Sequence, residues 1–313
     1  MTLAAAPLFT DISPAPLEGT AYWTHAVDGV RIRLGVFRPD RARGTVLLFP
    51  GRTEYVEKYA PAAGDLAARG YASVIIDWRG QGLADRLLEE NRVGHVGLFA
   101  DYQKDVDAMV GAARALDLPE PFYLLGHSMG GCIGLRSLYE GLDVAAAAFT
   151  GPMWGIRIAA PLRPVAWALG QVMPALGHGH RLPPGRVLES YVLTVPFEDN
   201  LLTSDPDMFE MMRAQLLAHP ELGLGGPSFV WLREALSETL ALSRMPAPAV
   251  PADAFVGTDE RIVHLGRIEA RMRSWPDGIL HVIPGGEHEV LMEGPEARAA
   301  IFDTIADRFA QAA

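Results

Sequence analysis

The feature that most constrains this chain is a short apolar run leading into a serine flanked by glycines. Residues 122–125 have the composition of a buried strand, and residues 132–139 after the serine have helical spacing. Gly126 and Gly130 leave room for a strand and a helix to meet in a sharp turn, with Ser128 exposed at its tip. We call this turn, residues 126–130, the elbow. It predicts Ser128 as a candidate nucleophile.

Strand-length apolar runs alternate with helix-length segments along most of the chain. The first two runs flank the turn residues Asp28 and Gly29 and predict an antiparallel pair. The later runs are almost wholly apolar, as in parallel strands covered on both faces. The predicted strands are residues 22–27, 31–37, 45–49, 72–77, 122–127, 145–150, 252–257 and 279–283. We therefore expect an α/β fold with a mostly parallel, doubly wound sheet.

The pattern changes after the strand that follows the elbow. From residue 151 to about 245, Pro and Gly are frequent, Trp and Met accumulate, and apolar residues recur at helical spacing. This indicates an inserted helical cap. The expected domains are residues 1–153 and 246–313 as the two parts of one α/β core, with residues 154–245 as the cap.

Composition excludes several classes of function. A formal net charge of −11 argues against nucleic acid as a partner. Cys132 is the only cysteine, so no disulfide or cysteine metal site is expected. His288-Glu289 lacks the second histidine of a zinc motif, and no nucleotide-binding glycine motif occurs, so we expect neither metal nor cofactor. We expect a cytoplasmic protein, with peripheral membrane contact as an open alternative.

A serine hydroxyl needs an imidazole to take its proton and a carboxylate to orient that imidazole. In a parallel sheet these partners come from loops at the carboxyl ends of later strands. The loop after residues 252–257 offers Asp259, which we assign as the acid, with Glu260 as the rival. The loop after residues 279–283 offers His288, which we assign as the base.

Two backbone N–H groups are candidates for stabilising the negative charge that develops on an ester oxygen. Met129 begins the helix after the elbow, where the helix dipole also favours negative charge. The second donor is expected in the turn after residues 45–49, and we assign it to Arg52.

These stretches together resemble the α/β-hydrolase superfamily, and within it the bacterial lysophospholipase and monoacylglycerol lipase branch. The resemblance spans nearly the whole chain and is carried by residues 50–55, 77–82, 94–96, 126–131, 151–153, 225–227, 231, 259–263 and 285–289. It implies an α/β-hydrolase fold, a triad of Ser128, Asp259 and His288, and an oxyanion hole formed by Arg52 and Met129. One departure is Pro50, where many relatives carry histidine.

The cap residues predict the substrate. Met and aromatic side chains accumulate there beyond what a small helical insertion needs, and they adapt readily to a flexible apolar chain. We expect contacts from Met153, Trp154 and Trp231 to a single-chain lipid ester, such as a lysophospholipid or monoacylglycerol. An aminopeptidase similar to proline iminopeptidase, or an acyltransferase, remains the alternative. The aminopeptidase would need acidic cap residues such as Glu189, Glu198, Asp199 or Glu210.

Overall fold

The computed structural model of the chain describes residues 3–13 and 18–312. Its strands form one sheet in the order β1-β2-β3-β5-β4-β6-β7-β8-β9. They are β1 (Ala4–Ala5), β2 (Gly19–His25), β3 (Arg31–Phe37), β4 (Thr45–Phe49), β5 (Ala72–Asp77), β6 (Phe122–His127), β7 (Ala147–Thr150), β8 (Ala252–Gly257) and β9 (Gly278–Ile283). The pairs β1–β2, β2–β3 and β3–β5 are antiparallel, and the remaining pairs are parallel. The prediction of a mostly parallel α/β sheet is confirmed.

Helices cover both faces of the sheet. They are α1 (Ala60–Ala68), α2 (Asp101–Ala115), α3 (Met129–Tyr139), α4 (Arg163–Ala175), α5 (Tyr191–Thr194), α6 (Pro206–Ala218), α7 (Phe229–Leu242), α8 (Leu265–Arg273) and α9 (Pro295–Gln311). Side chains of α2, α3 and α8 join one buried apolar cluster, and side chains of α1 and α9 join another. The central strands are buried along their whole length because their two faces contribute to different clusters.

Between β7 and β8 the chain forms the helices α4–α7. The side chains of Asp205 and Ser228 begin α6 and α7, since each accepts a backbone N–H three residues further on, at 2.9 and 3.1 Å. The start of α7 is tied to the core by two backbone hydrogen bonds, from Gly94 to Gly226 at 2.9 Å and from Ser228 back to Gly94 at 2.8 Å. This helical segment therefore lies over the sheet edge where the parallel strands end.

The predicted cap, residues 154–245, contains all four of these helices, and its domain boundaries remain a prediction. The outer limits of the predicted core, at residues 1 and 313, lie outside the described residues. Within residues 3–13 and 18–312, no helix combines the length and the apolar character needed to span a bilayer.

The topology gathers the predicted site residues at one edge of the sheet. The loops after β4, β6, β8 and β9 all start at the carboxyl ends of neighbouring or nearly neighbouring strands. These loops carry Arg52, Ser128, Glu260 and His288 respectively. Polar groups distant in sequence thus come together where ligands bind in open α/β sheets.

Candidate active site

The elbow holds Ser128 in a backbone conformation that non-glycine residues seldom adopt. Its φ is 48° and its ψ is −114°, immediately before α3 begins. A Cβ at residue 130 would lie 1.9 Å from the carbonyl oxygen of Phe49, so only glycine permits this approach of α3 to β4. The surrounding packing holds the strained serine in place, as is common at functional sites.

Ser128, His288 and Glu260 form one chain of hydrogen bonds. His288 Nε2 lies 2.9 Å from Ser128 Oγ, and His288 Nδ1 lies 2.6 Å from Glu260 Oε2. Glu260 Oε1 accepts the backbone N–H groups of Ile262 at 2.6 Å and Val263 at 2.9 Å. Because an ionised carboxylate only accepts hydrogen bonds, Nδ1 must carry the imidazole proton. The Nε2 lone pair then faces the serine hydroxyl, as proton acceptance requires.

The structure contradicts the assignment of Asp259 as the orienting acid. Its side chain is exposed, and its nearest polar partner is the hydroxyl of Thr258 at 3.4 Å. The tight turn after β8, closed by a 3.4 Å hydrogen bond from Glu260 N–H to the Gly257 carbonyl, sends these two consecutive side chains in different directions. Glu260 points inward and its carboxylate is fully buried. The rival acid named from the sequence therefore occupies the position predicted for Asp259.

The electrostatics of the pair favour a charged imidazole. Burial alone would lower the pKa of His288, but the hydrogen bond and charge of Glu260, aided by Glu289 and Glu54, raise it above its ordinary value of 6.5. Burial alone would raise the pKa of Glu260, but His288 and the backbone N–H groups of Val263 and Ile262 lower it. Glu260 is thus arranged to stabilise the imidazolium that forms when His288 accepts a proton.

The backbone N–H groups of Arg52 and Met129 are the predicted oxyanion donors. Met129 is the first residue of α3, and Arg52 follows β4. In the described part of the chain neither N–H has a hydrogen-bond acceptor. The Arg52 turn is held by Thr53, whose φ is 70°, and by the carboxylate of Glu54, which accepts the N–H of Gly51. The assignment of Arg52 and Met129 as oxyanion donors remains a prediction.

A buried charged cluster connects the Arg52 turn to the histidine loop. Lys58 Nζ lies 2.9 Å from Glu54 Oε1 and 2.7 Å from Glu289 Oε1. Burial alone would raise the pKa of Glu54, but Lys58 and then His127 hold it below its ordinary value. For Glu289, burial outweighs Lys58 and raises the pKa. Since Glu289 directly follows His288, Lys58 joins the two loops that frame Ser128.

The same cluster contains a possible set of metal ligands. Across residues 3–13 and 18–312, only Glu54, His127 and Glu289 bring three potential ligand atoms within 4.8 Å of one another. The ammonium group of Lys58 contacts both carboxylates and supplies their positive partner. Burial lowers the pKa of His127 to about 3, and its Nδ1 lies 2.9 Å from the Thr150 carbonyl oxygen. This cluster therefore fits a structural ion pair better than a metal centre.

A cavity of about 350 Å³ opens beside Ser128 and His288. Met153 and Trp231, two of the three predicted substrate contacts, line it. Apolar side chains predominate among the other lining residues. They include Tyr55, Ile156, Val192, Leu201, Leu202, Met212, Leu216, Leu232, Ile262 and Val263. An apolar chain thus has a route from the serine into the region beneath the cap helices.

The third predicted contact, Trp154, does not line this cavity. Its ring packs against Phe149 and Trp275, with centroids 5.1 and 6.0 Å away, and its Nε1 donates to the Gly131 carbonyl at 3.1 Å. Trp154 is thus part of the core beneath the elbow helix, and the prediction for this residue is wrong. Sequence reasoning missed Leu201 and Leu202, which precede α6 without a periodic pattern that would mark them.

Cys132 lies in the first turn of α3, the helix that begins directly after Ser128. Its backbone N–H donates to the Ser128 carbonyl at 3.2 Å, and its side chain is fully buried. Burial raises the pKa of this thiol well above its ordinary value. Cys132 is therefore an unreactive packing residue in the folded protein.

Sequence comparisons relate this geometry to known proteins. Residues 40–295 match the family described as "Serine aminopeptidase, S33". The chain is 31% identical over 300 residues to lysophospholipase L2 of Escherichia coli strain K12, covering 90% of this chain and 85% of that protein. It is 28% identical over 285 residues to a monoacylglycerol lipase of Mycolicibacterium smegmatis, covering 88% and 92%. These matches confirm the resemblance to α/β-hydrolases of the lysophospholipase and monoacylglycerol lipase branch.

Solved structures show the same fold. A soluble variant of monoglyceride lipase from Saccharomyces cerevisiae, in complex with a substrate analog, superposes with a TM-score of 0.71 at 21% identity, covering 92% of this chain and 94% of that one. A carboxyl esterase from Bacillus coagulans in complex with glycerol gives a TM-score of 0.74 at 14% identity, covering 94% and 99%. The α/β-hydrolase fold expected from the sequence is therefore confirmed.

Proposed function

Because this chain belongs to the α/β-hydrolase family described as "Serine aminopeptidase, S33", we propose that it hydrolyses carboxylic esters of single-chain lipids, such as lysophospholipids or monoacylglycerols. The observation that carries the proposal is the hydrogen-bonded chain Ser128–His288–Glu260 opening onto a largely apolar cavity. The relatives named lysophospholipase L2 and monoacylglycerol lipase support it.

In the proposed reaction Ser128 Oγ attacks the ester carbonyl carbon while its proton passes to His288 Nε2. The carbonyl oxygen becomes an oxyanion, to which the N–H groups of Arg52 and Met129 would donate. Glu260 stabilises the imidazolium. As the carbon–oxygen bond breaks, His288 returns the proton to the departing alcohol and leaves an acyl-serine. A water molecule, deprotonated by His288, then releases the fatty acid and restores Ser128.

The apolar lining of the cavity supports an acyl chain as the bound group. Each methylene buried there contributes about 0.8 kcal/mol. A chain of several carbons can therefore supply several kcal/mol of binding without a polar contact. Met153, Met212 and Trp231 offer adaptable or broad apolar surfaces for such a chain.

The aminopeptidase alternative follows from the family description, but the cavity gives it less support. A substrate amine needs an acidic partner near the serine. Glu189, Glu198, Asp199 and Glu210 are exposed on the cap and do not line the cavity. The two glutamates that do line it belong to the Lys58 cluster. Acyl transfer to an alcohol instead of water uses the same residues as hydrolysis. The two reactions are distinguished by their products.

The surface of α4 supports contact with a lipid membrane. Leu162, Val165, Val172 and Leu176 recur at helical spacing, and each side chain is at least half exposed. Residues 144–188 contain four arginines and no acidic residue, although the chain as a whole carries −11. An exposed apolar stripe within a stretch of sequence whose only charges are positive suits the surface of an anionic bilayer. We place such contact at the cytoplasmic face, consistent with the single, buried Cys132.

The experiment that tests the proposed function is steady-state kinetics on p-nitrophenyl esters of increasing acyl length, beside proline naphthylamide. We expect kcat/KM to rise as the chain lengthens from acetyl toward octanoyl, with little amide turnover. Ser128→Ala is the control, and it should abolish both turnover and labelling by a fluorophosphonate. Faster amide than ester turnover, or a chain-length profile that is flat or falling, would contradict the lipid assignment.

A further inference from the structure

The polar part of the active-site cavity is rich in arginine. Arg52, Arg157, Arg186 and Arg261 all line it, in a chain with a net charge of −11. Arg261 is paired with Glu287 at 2.6 Å. Arg157 donates to a backbone carbonyl of the Glu260 turn at 3.3 Å. The other two arginines lie elsewhere in the cavity wall.

Arg52 and Arg186 both rest on the turn before α7. Arg52 Nη1 donates to the Gly225 carbonyl at 2.8 Å, and its guanidinium lies 5.6 Å from the ring of Trp231. The Cβ of Arg186 packs so close to Gly226 that a Cβ on that glycine would lie 2.7 Å away. The two side chains are thereby brought to the same part of the cavity.

Among the described residues, no carboxylate pairs with either of these two cations. Within the residues that the structure describes, neither Arg52 nor Arg186 forms a salt bridge. Burial and the nearby charge of Arg186 lower the pKa of Arg52 to about 10. Two like charges facing one cavity repel each other, and an anion placed between them would relieve that repulsion. Guanidinium groups suit phosphate because their paired N–H donors match its oxygens.

We propose that Arg52 and Arg186 form a binding site for the phosphodiester of a lysophospholipid head group. The inference rests on the proposed function, since it takes this cavity as the site of the ester. With the acyl chain among the apolar residues and the carbonyl at Ser128, the glycerol unit extends toward the two arginines. The site then favours lysophospholipids over monoacylglycerols, which carry the same acyl chain but no anion.

The test compares lysophosphatidylglycerol with monoacylglycerol of the same acyl chain, each presented below its critical micelle concentration. The measured quantity is the ratio of the two kcat/KM values. We expect wild type to prefer the lysophospholipid, and Arg186→Gln to lower the ratio about tenfold, as loss of a charge-assisted contact implies. Arg186→Glu should lower it further. Arg244→Gln, at an exposed arginine just after α7 and outside the cavity, should leave the ratio unchanged.

Inorganic phosphate is added as a competitor in a third set of assays, because it shares only the anionic group with the lysophospholipid head group. We expect it to raise KM for lysophosphatidylglycerol in wild type, and less so in Arg186→Gln. Phosphate that instead activates monoacylglycerol hydrolysis, in an Arg186-dependent way, would identify a free-anion site and overturn the head-group assignment. An unchanged ratio in both Arg186 variants would overturn it too. If neither ester is hydrolysed, the proposed function itself has failed, which is a different outcome.

Discussion

Glu260→Gln should lower kcat by about three decades or more while leaving the fold intact. The carboxylate lies 2.6 Å from His288 Nδ1, so it stabilises the imidazolium directly. At about 4 Å between charge centres and an effective dielectric constant near 20, such an ion pair contributes roughly 4 kcal/mol. At about 1.4 kcal/mol per tenfold change in rate, its loss corresponds to roughly a thousandfold.

The hydrogen bonds around Glu260 make the glutamine variant worse than loss of charge alone. Oε1 accepts two backbone N–H groups, from Ile262 and Val263, so the amide oxygen of a glutamine will occupy that position. Its NH₂ group then faces His288 Nδ1 and forces the imidazole proton onto Nε2. In that tautomer Nε2 can no longer accept the proton of Ser128.

The assay is the pH dependence of kcat and kcat/KM for wild type, Glu260→Gln and Asp259→Asn on one short-chain p-nitrophenyl ester. Wild-type activity should fall on acidification with an apparent pKa above 6.5, since the pKa of His288 is raised. In Glu260→Gln the loss of activity on acidification should occur at lower pH, because the carboxylate that favours the imidazolium is gone. Asp259→Asn should alter neither the rate nor the pH at which activity falls. A damaging Asp259→Asn beside a nearly silent Glu260→Gln would refute the reasoning.

Two further predictions concern stability and membrane contact. Lys58→Met should destabilise the protein by about 3–5 kcal/mol at neutral pH, since it leaves buried carboxylates without their partner. The measurement is thermal denaturation, in which Lys104→Met, at a half-exposed lysine, should change the melting temperature little. Equal shifts of the melting temperature in the two variants would contradict the prediction. The double substitution Val172→Ser and Leu176→Ser should weaken cosedimentation with phosphatidylglycerol vesicles about tenfold or more. Leu217→Ser, at an exposed leucine on α6, should leave this binding unchanged. Equal binding by all variants would exclude α4 as the membrane-contact surface.

The fold was predictable because its determinants are local. The apolar strands, the Asp28-Gly29 turn and the elbow glycines each specify an element from a few neighbouring residues. The proximity of Ser128 and His288 was predictable for the same reason, since each lies in a glycine-containing loop directly after a strand. Parallel pairing then leaves those loops at one edge of the sheet.

The errors concern side-chain direction, which local sequence does not determine. Asp259 and Glu260 are adjacent acids in one turn, and which of them points inward depends on hydrogen bonds to the loop after β9 and to the backbone of Ile262 and Val263. Trp154 and Trp231 are both buried aromatics, yet one packs on the core and the other lines the cavity. The ion pair of Lys58 with Glu289 has no local signal, because the two residues are more than two hundred positions apart in sequence.

The position of Cys132 allows local unfolding around Ser128 to be measured with a native thiol. It is the only thiol in the chain, and it is buried in the turn of α3 that supports Ser128. A thiol reagent in excess can therefore react only when that turn transiently unfolds, and the labelling rate reports how often the turn unfolds. This measurement uses the unmodified sequence, with no probe introduced. Because acylation of Ser128 would tie the elbow to a chain bound in the cavity, the half-time of Cys132 labelling would measure how firmly each substrate analogue holds Ser128 in place.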